Sequence, residues 1–498
     1  MLDARQRDGF VVSSWVFARL LGVTLLIAFV SIGVQAQGLF GPTGIAPIAD
    51  FVASAQRAGH SFFVHPSFFW FWSGDGSITT VWVVGAIAGT AMALGVLPGL
   101  AALVGWAAYL SFVAVGWPFM SFQWDTLLLE VTFTSMFFVP WCVRDRLRTH
   151  CDPNPVARWA LWFLLFRLVF RSAWVKLASG DATWQDLTAL EYHYFTQPLP
   201  TVFAWYADKL PGWFQKTSCA LMFVIEFGAP FLLVVPRASV RRTGAALIAA
   251  LMGAIALTGN YGFFNLLTVL LCLTALDDGL LSRFFGRRLA TPASERKISN
   301  WKQRTFIGPA VVILIAAIVF FGGTFGERRR ARFLSPLYAF ATFNNYGLFA
   351  VMTTTRPEIV LEGTLDWEHW EPYVFRYKPG PVERAPVWVA PHQPRLDWQM
   401  WFAALGDFRR NYWLAHTMRR LLDGEPEVLD LLETNPFEKQ PPRQIRALVY
   451  EYSFTTADDR RETGAWWSRG EPKLYAPVLG EPPPTGGGAA DPATSTEP

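Results

Sequence analysis

Three cations, Arg167, Arg171 and Lys176, lie on one apolar run, residues 157–178, that is long enough to cross a bilayer. A charge at membrane depth costs about 3 kcal/mol even on lenient insertion scales, so each must be paired or put to use. Neighbouring apolar runs supply three carboxylates, Asp125, Glu130 and Glu226. Runs 124–141 and 157–178 are antiparallel across a short loop, so residues at equal depth share a constant number sum. That sum sets Asp125 level with Lys176 and Glu130 level with Arg171, the second pair about 7–8 Å deeper at ~1.5 Å rise per residue. The returning run 217–235 brings Glu226 to the depth of Arg167. Depth counting therefore predicts the buried ion pairs Glu130–Arg171 and Arg167–Glu226. These are architectural, since guanidinium stays charged and suits carboxylate binding better than proton transfer. Lys176 differs: it lies at the outer mouth, where a dry pocket makes a lysine a general base, whereas a lysine at a helix end snorkels to water. Both alternatives stay open.

More polar side chains collect at the same outer level. Asp181, Trp184, Asp186, Glu191, His193, Tyr194 and Gln197 line the segment after the cationic run, and Asn260 and Asn265 bracket the turn between two later runs. Asp125, Asp181, Trp184, Glu191, His193, Tyr194, Asn260 and Asn265 thus form a candidate outer-face cluster with Lys176. His193 between two tyrosines reads as a proton shuttle or as an interfacial polar residue. No zinc-hydrolase, P-loop, nucleophile-elbow or dinucleotide motif occurs, so no metal or nucleotide site is expected. Cys142, Cys151, Cys219 and Cys272 form no C-x-x-C and read as free structural thiols.

The elements that must position these groups are membrane helices. Among 498 residues, hydrophobic types reach 52% and charged types only 16%, too few to coat several soluble domains. Apolar runs lie at 13–34, 79–96, 98–117, 124–141, 157–178, 217–235, 243–259, 261–276 and 306–325, giving about nine transmembrane helices. The first reads as an uncleaved signal-anchor. Arg144, Arg146, Arg148, Arg237, Arg241, Arg242 and the cations of 283–304 fall on one side when the N-terminus is cytoplasmic. Arg328, Arg329, Arg330 and Arg332 then lie outside, an exception that a long translocated domain tolerates. The basic residues need no nucleic acid to explain them.

The expected fold class is an α-helical polytopic membrane protein with a C-terminal soluble α+β domain. Residues 1–327 form the helical domain, with outer loops 35–78 and 179–216; the first loop carries His60, His65 and a short amphipathic segment. Residues 328–480 form a separate extracytoplasmic domain and 481–498 a disordered tail rich in Pro and Gly. Strands are expected at 358–363, 370–377 and 445–454, and helices at 396–405 and 411–422. A separate domain implies that deleting residues 332–498 leaves the membrane region folded.

Several long stretches carry a family signal: RLLGVTLLIAFVSIGVQAQGLFGPTGIAP, QWDTLLLE, LWFLLFRLVFRSAWVKLASGDATWQDLTALEYHYFTQPLPT and LTGNYGFFNLLTVLLC. NNYGLFAVMTTTRPEIVLEG, FRYKPG and WVAPHQPRLDWQMWFAALG continue it. From Arg19 to Trp467 the chain resembles the lipase maturation factor family. The resemblance implies a multi-pass protein whose animal members reside in the endoplasmic reticulum and assist folding of secreted lipases. It further implies an exported lipase as client, no cofactor, and a C-terminal domain in the lumen. In a bacterial member that domain faces the periplasm. Lys176, Asp181 and Trp184 are also similar to a short pattern in vitamin K-dependent carboxylase. That likeness implies an alternative, a membrane enzyme acting on a quinone-like lipid with Lys176 as base.

Overall fold

The computed structural model describes residues 9–150, 152–285, 305–323 and 338–482. Each of the nine apolar runs falls on a helix: α1 (Val11–Gly33), α2 (Ser77–Leu94), α3 (Pro98–Val115), α4 (Gln123–Ser135), α5 (Pro155–Ala178), α6 (Gly212–Leu233), α7 (Ala238–Thr258), α8 (Phe264–Leu273) and α9 (Ile307–Gly323). Five of them, α1, α2, α3, α6 and α7, are long and apolar enough to cross a membrane among the described residues. The chain is a multi-pass membrane protein.

Small residues set the helix spacing. A Cβ on Gly22 of α1 would lie 2.3 Å from the backbone nitrogen of Ala93, and one on Gly89 of α2 would lie 2.6 Å from that of Leu26. Without a hydrophobic drive between helices in lipid, such close backbone approach supplies the dispersion contact that holds α1 to α2. Helix α5 starts where the chain dictates: Pro155 occupies the first turn and the Asn154 side chain accepts from the Val156 amide at 3.0 Å.

One end of the bundle is tied by basic residues and acids. Arg19 meets Asp145 at 2.8 Å, as does His150, and Arg241 and Arg242 both bind Asp277. Asp278 accepts from the amides of Val11 and Val12 at 3.0 and 2.8 Å, closing the start of α1. The cations of 286–304 and of 328–332, Cys151, and the tail from 483 lie outside the described residues. In the loop after α1, the helix Ile48–Arg57 is the expected amphipathic segment and buries Ile48, Val52 and Ala55.

At the opposite end sits the C-terminal region. Its sheet is antiparallel, in the order β2 (Glu371–Pro372), β1 (Arg356–Thr364), β5 (Gln444–Phe454), β6 (Trp467–Arg469), with β7 (Lys473–Gly480) also paired to β5. Strands β1 and β5 pair in continuous register from Arg356 opposite Tyr452 to Thr364 opposite Gln444. The strand expected at 370–377 is broken. β2 pairs with β1, whereas β3 (Val374–Phe375) leaves to pair with β4 (Leu432–Thr434). Pro372 has no N–H to extend a ladder, and the chain changes sheets directly after it. Helices α10 (Arg395–Ala404) and α11 (Tyr412–Leu422) match expectation.

The region is fastened to the helices rather than set apart from them. Asn260, in the turn between α7 and α8, donates to Val387 O at 2.8 Å and accepts from the amides of Val389 and Ala390 at 2.8 and 2.9 Å. Gln35, at the end of α1, donates to Gln393 O at 2.8 Å and accepts from Arg395 N at 2.9 Å. Arg356, fully buried, donates to the carbonyls of Phe195, Gln197 and Pro198.

Candidate functional site

The junction between bundle and C-terminal region is the candidate site. Here the buried charges find their partners, and the partners differ from those that depth counting assigns. Arg167 binds Glu130, whose second oxygen accepts from the Asn344 amide at 3.1 Å, the Asn344 side chain at 3.2 Å and the Tyr346 hydroxyl at 2.6 Å. Lys176 lies 2.8 and 2.7 Å from the two oxygens of Glu226. Asp125 is paired with no cation of α5: Arg395 binds it bidentately at 2.8 and 3.0 Å, Tyr109 donates to it at 2.5 Å, and Arg395 and Asp125 are both 0% exposed.

The pairs Glu130–Arg171 and Arg167–Glu226 are therefore corrected to Glu130–Arg167 and Lys176–Glu226. Equal number sums require helices that meet squarely at their ends. Instead α4 stops at Ser135, leaving an irregular connection before α5, and α6 starts at Gly212, so its first turns project past the end of α5. Arg171 is half-buried, and its Nε has no hydrogen-bond partner among the described residues.

The outer-face cluster is largely spent on holding the C-terminal region. Asp181 caps the turn Ala182–Gln185 through the Thr183 amide at 2.8 Å, and its other oxygen accepts from Met352 N at 2.9 Å. Burial opposes ionisation of Asp181, yet these hydrogen bonds outweigh it and lower its pKa. Trp184 donates to Phe349 O at 2.9 Å and places its ring 5.4 Å from the Lys176 ammonium. His193 Nε2 lies 3.3 Å from the Tyr261 hydroxyl, which donates to Gln197 at 2.8 Å. Tyr194 packs into a second core with Trp205 and Tyr452, Asn265 is buried on α8, and Glu191 is exposed.

A paired Lys176 bears on the base alternative. Both Glu226 oxygens face its amine, the arrangement of an ammonium held by a carboxylate, which offers no lone pair to a substrate. The expectation of Lys176 as base finds no support in this geometry.

Two histidines at the junction carry a pH signature. Burial, reinforced by the Lys176 charge, pushes His193 from 6.5 down to about 4. Burial, with Arg395 and Arg376 adding to it, does the same to His392, whose Nδ1 lies 3.0 Å from the Ser31 hydroxyl. The unfolded chain takes up these protons near pH 6.5 and the folded chain only near 4, so stability falls as pH drops through that window. The melting temperature between pH 7.5 and 4.5 should fall less for His193→Gln/His392→Gln than for the parent; equal falls would refute this assignment.

Beside the ion pairs lies a cavity of about 550 Å³ that sequence reasoning missed. Trp117 and Phe122 from the α3–α4 connection and Trp124 from the first turn of α4 form one wall, and Trp398, Trp401 and Phe402 of α10 form the other, with Tyr261 and Phe349 between. Phe122 stacks on Trp124 at 4.5 Å, and Trp124 meets Trp398 edge-on at 4.6 Å. The signal available was the spacing of Trp398, Trp401 and Phe402 at i, i+3 and i+4, one face of a helix. Nothing in that spacing says that a Trp-rich turn more than 270 residues earlier closes over it.

The two structural units coincide with two recognised sequence units. The lipase maturation factor transmembrane domain matches residues 12–283, and the lipase maturation factor C-terminal domain matches residues 342–477. The chain belongs to the lipase maturation factor family. It is 33% identical to lipase maturation factor 2 of Xenopus laevis, an alignment covering 91% of this chain and 80% of that protein. Lipase maturation factor 2 of Gallus gallus is also 33% identical, over 93% of this chain and 81% of its own. Lipase maturation factor 1 of Mus musculus is 29% identical, over 96% and 88%. No solved structure matches the chain. The C-terminal family unit begins just before Asn344 and Tyr346, the residues that complete the Glu130 site.

Proposed function

We propose that this protein is a membrane-embedded maturation factor that assists the folding of exported proteins such as lipases, as a scaffold rather than a catalyst. The observation that carries the proposal is the match to lipase maturation factors along more than nine-tenths of the chain. Lys176, which invited the catalytic reading, is engaged by Glu226 within the bundle, while Asp125 and Glu130 bind Arg395, Asn344 and Tyr346 of the C-terminal region. We count α4, α5, α8 and α9 as crossing alongside the five longer apolar helices, nine in all, which puts the two ends of the chain on opposite sides. The gathering of Arg144, Arg146, Arg148, Arg237, Arg241 and Arg242 at the end of the bundle away from the C-terminal region supports a cytoplasmic N-terminus and an extracytoplasmic C-terminal region.

The test is deletion of the gene from its source, followed by assay of exported lipase activity and complementation. The wild-type chain should restore active exported lipase. Lys176→Arg should restore it nearly as well, because it keeps the charge that Glu226 requires. Unchanged lipase export in the deletion strain would remove the maturation reading, and a dead Lys176→Arg variant that folds would revive the base.

A further inference from the structure

The aromatic cavity has a size, a level and a charge that together describe a ligand. Its volume of about 550 Å³ lies within the ~300–1,000 Å³ of small-molecule sites. Its level is the membrane interface, because one wall is the turn between the end of the spanning helix α3 and the start of α4. Around it Trp117, Phe402 and Tyr412 are 50%, 45% and 48% exposed, with Trp117 stacked on Tyr412 at 5.5 Å, as aromatic side chains sit at headgroup depth. No carboxylate lines the cavity, and Arg410, itself exposed, is its one charged lining residue among the described ones.

The wall offers a ligand few polar groups. The indole N–H groups of Trp124 and Trp398 are buried within the wall, without a hydrogen-bond partner among the described residues, and present no donor to the space between the rings. Two further polar groups of the lining are occupied: Gln399 donates to Pro118 O at 2.7 Å and Tyr261 to Gln197 at 2.8 Å. An extended peptide would bring a row of main-chain donors and acceptors to walls made of ring faces, and few of them could be answered. An acyl chain brings none.

We infer that this cavity binds one acyl chain of an anionic amphiphile, with its headgroup at Arg410. A fatty acid and an anionic phospholipid present the same chemistry, an apolar chain beneath a carboxylate or phosphate. This ligand lies beyond the maturation role and does not depend on it, so failure of the experiment below leaves the lipase-export result untouched.

The test uses the full chain in nanodiscs of phosphatidylcholine, photolabelled with diazirine-bearing palmitate, phosphatidylglycerol or a neutral fatty alcohol. Labelled peptides are then mapped. Palmitate, phosphatidylglycerol or both should label residues 117–124, 347–353 or 398–411 above the lipid-facing helices, and whichever does so identifies the source. Arg410→Glu should raise the half-labelling concentration of the anionic probe roughly tenfold, the scale of a ~1.4 kcal/mol loss, and leave the fatty alcohol unchanged. Ala350→Trp should abolish cavity labelling by filling the space, with Leu405→Trp as a second filler if the first variant melts early. Labelling spread evenly over the lipid-facing helices would overturn the proposal. So would equal labelling by the fatty alcohol together with an indifferent Arg410→Glu.

Discussion

Arg395→Ala should be among the most damaging single substitutions in the chain. Arg395 neutralises Asp125 bidentately and also donates to the Phe119 carbonyl at 2.6 Å, all without solvent. Truncating it strands a carboxylate in a site that is 0% exposed, and breaking a buried pair from one side costs about 3–5 kcal/mol. That is a large share of the ~5–15 kcal/mol that separates folded from unfolded protein in ordinary domains. The expected result is a much lower melting temperature in detergent, with rapid proteolysis of the segment after residue 338. Removing both charges, as Asp125→Leu/Arg395→Met, should recover much of the loss, because an apolar pair carries no desolvation penalty. A melting temperature for Arg395→Ala that stays at the wild-type value would show that the pair does not hold the junction.

Glu130→Ala should come close behind. It removes the carboxylate that Arg167 binds and at the same time the acceptor for Asn344 and Tyr346. An unpaired guanidinium deep in the bundle again costs about 3–5 kcal/mol, and each orphaned donor adds about 1–3 kcal/mol. Glu130→Gln separates the two contributions. Its carbonyl oxygen can still accept from Tyr346 but gives Arg167 no charge, so its melting temperature should fall between wild type and alanine. Equal melting temperatures for the two variants would mean that the neutral hydrogen bonds contribute nothing measurable.

Much of this architecture is legible in the sequence. Runs of about twenty apolar residues must be helices in lipid, where every backbone group needs an internal partner, and each such run falls on one. The strands at 445–454 and 358–363 are legible from residue pattern, whereas their antiparallel pairing with each other is not. The importance of Arg167, Lys176, Asp125, Glu130 and Glu226 follows from the cost of charge at depth. Their pairing does not. Counting residues from a loop treats neighbouring helices as square-ended rods, whereas α4 is cut short and α6 overshoots. Counting along neighbours also cannot see Arg395, Asn344 or Tyr346, which return to the bundle from more than 200 residues away. Asn260 shows the same limit: a polar side chain in a membrane-facing turn reads as waiting for a ligand, yet its partners are Val387, Val389 and Ala390 of its own chain.

The Arg395–Asp125 pair also sets an order of assembly. Asp125 emerges early in synthesis, on a helix bound for the bilayer, and its counter-charge is made 270 residues later. Until then the helix carries an unmatched carboxylate, and the Glu130 site lacks Asn344 and Tyr346 for almost as long. The bundle thus reaches its final form only when the last third of the chain arrives. A chain cut at residue 332 would not be a membrane domain minus an appendage, as its sequence implies, but an unfinished one that displays its charges to whatever inspects new membrane proteins. Completion of the polypeptide is, in effect, its own folding checkpoint.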